Sequence, residues 1–311
     1  MTKKWSSRLT FFAFVVLMVG LGSNDSLRGI FSTIFQEHFS LTTTQLGLIV
    51  TASYIGNLVF LLVGGNLSTR FSKKRVLQVL ILIWMAALAL FAFTSNYTVL
   101  LIGMALALGS STLLNTTMNL ITPLLFATAP GFFVNFLFFT QEIGTSGSQY
   151  ILGSHADGFA FWQHTNLVLL ILGAVAFVLL LFCNVPEEAA APADAPAQKG
   201  GYDWRIIVPY VLVFGFYFIA EHGVMNWMVA YGVDGLGLPQ ASAAKYLSVF
   251  FGGMMIGRLC LSPLVDKLGA LKSLAAFGGV SCVLYLIGSL GGAVTMPVWA
   301  ISGLSFSIFY T

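Results

Sequence analysis

Apolar stretches of about twenty residues recur along this chain, and no soluble fold of its length can hide them all. A helix needs roughly 20 apolar residues to cross the hydrocarbon core of a bilayer. Such stretches run over Leu9–Phe31, Leu46–Leu67, Val76–Thr94, Val99–Leu125, Phe132–Leu152, Leu167–Val185, Ile206–Tyr231, Tyr246–Leu264 and Leu271–Leu290. A tenth begins near Met296 and is cut off at Thr311. Charged residues make up 8% of the 311, against roughly 25% in soluble domains. The expected fold is therefore an all-α polytopic membrane protein of about ten transmembrane helices. The 32 glycines suit close helix packing in lipid. The N-terminus, with Lys3, Lys4 and Arg8 before an apolar run from Phe11, has the look of a signal peptide. The run continues past a plausible cleavage site and further spans follow, so it reads as an uncleaved first helix.

One connection differs from the rest. Pro186 to Tyr202 reads PEEAAAPADAPAQKGGY, an Ala/Pro/Gly linker that cannot build a core. It divides the chain into an N-terminal bundle of six helices (residues 1–185), a linker (186–204) and a second bundle (205–311). With a cytoplasmic N-terminus, that side receives 12 of the 14 basic residues, from Lys3, Lys4 and Arg8 through Arg70, Lys73, Lys74 and Arg75 to Arg258, Lys267 and Lys272. The exceptions are Arg28 and Lys245. So lopsided a distribution is the positive-inside pattern, and the inner membrane of a bacterium is the expected location.

The two halves repeat. At a constant offset of 197 residues, Gly65–Leu77 falls on Ser262–Leu274 without gaps, with Leu67 on Leu264, Arg70 on Lys267 and Ser72 on Gly269. Tyr54 falls on Phe251 and Gly56 on Gly253, and Asn24-Asp25 on Glu221-His222. Parallel repeats of this kind build transporters whose site lies at the midplane between halves.

These features resemble the major facilitator superfamily, whose pattern is six plus six helices with a GxLxDRxGRK-like loop after the second span. Here that loop carries Gly65, Leu67, Thr69, Arg70, Ser72, Lys73 and Lys74. The usual acid is Thr69 and the second glycine is Ser72; the second copy keeps Asp266, Lys267 and Gly269, with Arg258 upstream. The resemblance implies that Arg70, Lys73, Lys74, Arg258, Asp266 and Lys267 form a charge network that gates the carrier at the cytoplasmic face. It also implies a twelve-helix fold of which the second bundle here is incomplete, and a chain of this extent is expected not to transport. Within the superfamily the chain is most similar to the fucose–proton symporter group. Three places carry that similarity: Asn24-Asp25 in the first span, Asn115-Thr-Thr-Met-Asn119 in the fourth, and Tyr217-Phe-Ile-Ala-Glu221 with Trp227 and Tyr231 in the seventh. Asn135 and Gly144 in the fifth keep the group's spacing as well. Asn115 stands where that group has a second carboxylate.

Ionisable groups at membrane depth cost about 2.5–3.5 kcal/mol each at a helix centre and need a reason. Here they are Asp25, Arg28, Glu142, Glu221 and His222. Asp25 and Arg28, three apart, share a helix face; they either neutralise each other or serve proton uptake and solute contact. By register with the symporter group, Glu221 is the cavity group of its helix, and Asp25 and Glu221 are the expected proton carriers. His222 reads equally as a packing residue. Glu142 can answer Arg28. Asn24, Arg28, Asn115, Asn119, Gln141, Asn226 and Trp227 are the candidate solute-binding residues. Asn115 and Asn119, four apart, either bind hydroxyls or join helices. Trp227 and Tyr231 either stack on a sugar ring or anchor at the interface.

The sequence holds no phosphate-binding loop, no HExxH and no CxxC, and its four histidines form no ligand spacing. Cys183, Cys260 and Cys282 sit in apolar runs as packing residues. No enzyme, cofactor, metal or nucleic-acid partner is expected. The expected function is a secondary carrier for a small polar solute such as a monosaccharide, coupled to protons. Its alternatives are an exporter of the same fold and a non-transporting fragment.

Overall fold

A computed structural model describes residues 3–186 and 204–310. The side chains of 3–6, 65–70, 206, 259, 262, 263, 266, 270 and 310 fall outside the described residues. So do the expected linker, nearly whole, and the side chains of Arg70 and Asp266 in the expected gate.

The described elements are helical throughout. The first half comprises α1 (Lys3–Ile30), α2 (Ser32–His38), α3 (Thr43–Arg70), α4 (Lys73–Phe93), α5 (Tyr97–Leu125), α6 (Pro130–Ile151) and α7 (Phe159–Phe182). The second comprises α8 (Trp204–Ala230), α9 (Gln240–Leu268), α10 (Ala270–Leu290), α11 (Met296–Ile301) and α12 (Gly303–Phe306). Local chemistry sets several starts. Asn96 accepts from the backbone N–H groups of Thr98 and Val99 at 2.9 and 3.2 Å, and Pro130 opens α6 where its missing N–H is not needed.

The repeat also shows in the helix boundaries. Shifting Thr43, Lys73 and Phe93 by 197 gives 240, 270 and 290, the start of α9 and both ends of α10. The two copies turn the corner differently. Ser72 caps α4 by accepting from Arg75 N–H at 3.4 Å, whereas its counterpart Gly269 turns with φ +85°, a left-handed conformation open to glycine.

Among the described residues, eight helical segments are long and apolar enough to cross a membrane. Two of the expected spans, α6 and α9, fall outside that set although they have 22 and 29 residues. For α6 the reason is polar content, since it buries Thr140, Glu142, Thr145, Ser148 and Gln149. In α9 the apolar run is interrupted by residues 259, 262, 263 and 266, whose side chains fall outside the described residues. These two helices pack on each other between the halves, so their polar faces turn inward.

Buried hydrophobic side chains form two clusters. One gathers Phe14, Leu17, Trp84, Leu114 and Trp162 from α1, α4, α5 and α7. The other gathers Met228, Phe250, Phe251, Met254 and Trp299 from α8, α9 and α11. Outside them, large apolar side chains such as Leu58, Leu62, Ile171, Phe216 and Leu286 are exposed, as lipid-facing surface requires.

The halves meet at the end opposite the N-terminus. Gly29 lies against the Met225 backbone, so that a Cβ there would overlap the Met225 carbonyl. Ser146 and Ser248 exchange hydroxyl-to-carbonyl hydrogen bonds at 2.9 and 2.8 Å. Gln240 Nε2 donates to the Ile30 carbonyl at 2.6 Å and Thr33 Oγ1 to Gln240 Oε1 at 3.1 Å.

Candidate functional site

Beneath that contact lies a cavity of about 770 Å³, walled by α1, α3, α5, α6, α8 and α9. It sits on the side of the contact that carries the N-terminus and the α3–α4 turn. The helical repeat builds both walls. Asp25, Arg28, Tyr54 and Leu61 line it from the first half, and their counterparts at offset 197, His222, Met225, Phe251 and Arg258, line it from the second. Equivalent registers of equivalent helices therefore face one another across the cavity, and the residue types, not the positions, break the symmetry.

On α1, Asp25 is held within the first half. Its Oδ1 accepts from Asn24 Nδ2 at 3.3 Å and from Ser111 Oγ on α5 at 3.3 Å. Arg28, one turn on, engages the other half. Its Nε donates to Asn226 Oδ1 on α8 at 3.2 Å, and its guanidinium lies 5.9 Å from the Tyr54 ring centroid. Of the two readings left open for Asp25 and Arg28, the structure does not form the mutual ion pair, and Arg28 makes a contact between halves instead. Asn226 completes the cluster, donating to Tyr54 Oη at 3.2 Å and to the His222 carbonyl at 2.7 Å.

α5 and α6 supply a row of amides. Asn119 Nδ2 donates to Asn115 Oδ1 at 2.7 Å, and Asn115 Nδ2 donates to Gln141 Oε1 at 2.7 Å. All three line the cavity, as i, i+4 spacing on α5 allows.

Glu142, next to Gln141, forms an ion pair with Arg258 of α9, Nη1 to Oε1 at 3.0 Å. Two expectations are corrected here. Glu142 answers Arg258 and not Arg28. Arg258, expected in the charge network of the cytoplasmic face, lines the cavity at the depth of Glu142. The physical reason is that α9 continues ten residues beyond Arg258, to Leu268, so the side chain lies well inside the helix. Its offset partner Leu61, also mid-helix, was the signal for this.

Glu221 and His222 both line the cavity although they are adjacent on α8; His222 Nδ1 is bonded to the Phe218 carbonyl at 3.0 Å, and its ring meets Tyr54 edge-on at 5.5 Å. Of the other expected solute-binding residues, Asn24 and Asn226 are buried beside the cavity and not on its wall, where they hold Asp25 and Arg28. Trp227 is not on the wall either: it packs against the hydrophobic cluster of the first half. Tyr231 also lies elsewhere, donating to the Ser289 carbonyl at 3.1 Å. Cavity residues that the sequence reading did not single out include Ser111 and Thr145, hydroxyls that carry no signal in a chain rich in them.

Of the remaining expected gate residues, Lys74 ties the start of α4 to the end of α7, donating to the carbonyls of Leu181 at 3.0 Å and Cys183 at 2.7 Å. Lys73 is buried and Lys267 exposed.

Residues 10–311 match the Major Facilitator Superfamily. The chain is 24% identical over 297 residues to the cis,cis-muconate transport protein of Acinetobacter baylyi, covering 88% of this chain and 70% of that one. It is 23% identical over 330 residues to the L-fucose-proton symporter of Escherichia coli, covering 92% and 74%. It is 26% identical over 312 residues to the hexuronate transporter of Bacillus subtilis, covering 92% and 72%. The fold is similar to a crystal structure of the transporter FucP in the outward conformation, with a TM-score of 0.65 at 19% identity over 97% of this chain and 82% of that one. A match over nearly the whole chain, on a fold of paired helical halves around a polar cavity, identifies this multi-pass membrane protein as a member of the Major Facilitator Superfamily.

Proposed function

We propose that this protein is a secondary active symporter that moves a small polar solute of the sugar type together with protons. Its halves, residues 1–185 and 205–311 joined by the linker 186–204, rock about the central cavity. In this reading α6 and α9 also span the membrane, which brings the number of spans to about ten. The polar face of α6, with Arg258 of α9, lines the transport path. The N-terminus lies in the cytoplasm of a bacterial cell, as the distribution of basic residues favours, and the described state is open inward.

One observation carries the reading. Charged and amide side chains from both halves converge on one cavity, at a depth where lipid tolerates them poorly. Arg28, Asn115, Asn119 and Gln141 are the solute-binding candidates on its wall, with Asn24 and Asn226 behind them. Asp25 and Glu221 carry the protons. A solute can drive the rocking only through different affinities for the two states, so each bound group must change partners as the halves move. Arg28 is placed to do so, because its partner Asn226 belongs to the other half. Arg70, Lys73, Lys74, Asp266 and Lys267 act as the gate on the cytoplasmic face. The name of the Escherichia coli relative pairs a sugar with a proton, which supports the same chemistry here.

Uptake of labelled sugars by the full-length protein in proteoliposomes under an imposed pH gradient tests this. An inward proton gradient is expected to accelerate uptake of at least one sugar. Asp25→Asn is expected to reduce gradient-driven uptake at least about tenfold while leaving solute exchange at equal pH in place, since exchange needs no net proton movement. A gradient that changed uptake of no solute would remove the coupling role of Asp25.

A further inference from the structure

The Arg258–Glu142 pair has a position that stability alone does not account for. It joins α6 of one half to α9 of the other and forms part of the cavity wall, with both side chains partly open to it at 17% and 11% exposure. Burying two charges of opposite sign costs desolvation that their attraction roughly returns, so such a pair is weak evidence of stabilisation. At a cavity wall it is also within reach of whatever enters. A guanidinium binds carboxylates through two parallel hydrogen bonds, and any carboxylate of the right reach competes with Glu142 for it.

Beside the pair runs the amide row of Asn119, Asn115 and Gln141, the last adjacent to Glu142 in the chain. Amides both donate to and accept from hydroxyl groups. The wall therefore offers a carboxylate position and hydroxyl positions side by side.

We propose that the solute is a hydroxylated carboxylate, a sugar acid, whose carboxylate docks on Arg258 when Glu142 takes up a proton and releases it. This rests on the transporter reading above and names the substrate class of the same cavity. The charges balance. One proton from water forms an O–H bond on Glu142, removing one negative charge, and the solute carboxylate brings one in. The cavity thus binds an anion at membrane depth without gaining net charge. A neutral sugar leaves the Arg258–Glu142 pair closed and gives Arg258 no part in recognition. The other charged or titratable groups on the cavity wall are Asp25 and Arg28 of α1, Tyr54 of α3, and Glu221 and His222 of α8. The variants below separate Glu142 from them.

The test is binding of D-glucuronate, D-galacturonate and D-gluconate against D-glucose, D-galactose and L-fucose to the purified protein, by calorimetry. It runs from about pH 8 to about pH 5.5, where sugar carboxylates stay ionised. The wild type is expected to bind at least one sugar acid at least about tenfold more tightly than its neutral counterpart. That affinity should rise on acidification by up to about tenfold per pH unit, the slope of one proton taken up with the solute. Glu142→Gln, a permanent mimic of the protonated acid, should hold the low-pH affinity at all pH values. Arg258→Ala should lose at least about tenfold, with Arg258→Lys between the two. The wild-type measurements decide without any variant: preference for the neutral sugars, or a pH-independent affinity for the acids, overturns the proposal. Gradient-driven uptake of a neutral sugar alone would overturn it and leave the symporter standing. Absence of gradient-driven uptake for all six solutes would overturn both.

Discussion

The two places where the halves touch are built from different chemistry. At the end away from the N-terminus the close contacts and hydrogen bonds join neutral groups: Gly29 on Met225, the reciprocal Ser146–Ser248 hydrogen bonds, and Gln240 reaching to Ile30 and Thr33, with Lys245 lying 5.9 Å from the Tyr150 ring centroid. Around the cavity the contacts are charged: Arg28 with Asn226, and Arg258 with Glu142. A neutral hydrogen bond contributes about 0.5–1.5 kcal/mol net, so each bond of the outer contact costs little to break. A buried charge stripped of its partner costs several kcal/mol, so the cavity contacts break only when something replaces them. In the proposed transport cycle this difference divides the labour: the outer contact would set which state is populated, and the cavity contacts would make that choice depend on protons and solute.

Four experiments would break or sharpen this contrast. The largest effect is expected from Gly29→Leu, which drives a side chain into the Met225 backbone and prevents the outer contact from closing. Transport should be lost, and spin labels placed at the outer ends of α1 and α8 should move apart. Unchanged label distances would mean that this close approach does not hold the state. Next, Arg258→Ala leaves Glu142 buried without its cation. A loss of about 3–5 kcal/mol is expected, read as a lowered midpoint of thermal unfolding in detergent, with Glu142→Gln/Arg258→Ala recovering part of it. Equal midpoints for the single and double variants would show that the pair is not coupled. Third, Asn115→Ala interrupts the amide row at its middle member. Solute affinity should fall by a factor of about 5 to 100, the cost of about 1–3 kcal/mol for leaving polar groups unpaired, with little change in unfolding midpoint. Fourth, Ser248→Ala removes a hydroxyl from the outer contact. The population open at that end should rise only severalfold, in keeping with one neutral hydrogen bond, and label distances again report it. A larger shift from Ser248→Ala than from Arg258→Ala would reverse the proposed division.

The legible part of the fold was the part governed by local pattern. Apolar length marked the spans, and the offset of 197 relates α3 to α9 and α4 to α10. Where α6 departs from the apolar pattern, the departure is itself informative, since its Glu142 meets Arg258 of α9 between the halves. Of the candidate residues, some share one cavity wall, while Asn24, Asn226 and Trp227 do not. Asp25, Arg28, Asn115, Asn119, Gln141 and Glu221 all line one cavity. Their partners were another matter. Spacing on α1 made Asp25 the natural partner of Arg28, yet Asn226 on a helix some two hundred residues away holds it. Likewise Trp227 suggested a sugar platform by its position on α8, yet it fills a gap against the first half.

By itself, then, the sequence determined the helices, their repeat and which residues are too polar for lipid, because hydropathy and periodicity act over a few turns and need no partner. Tertiary structure alone decided that Arg258 answers Glu142, that Arg28 reaches Asn226, and that the halves close on the side away from the N-terminus. Those choices depend on which side chains arrive within about 3 Å of one another, and a charge in a low-dielectric interior takes the nearest group that can neutralise or hydrogen-bond it.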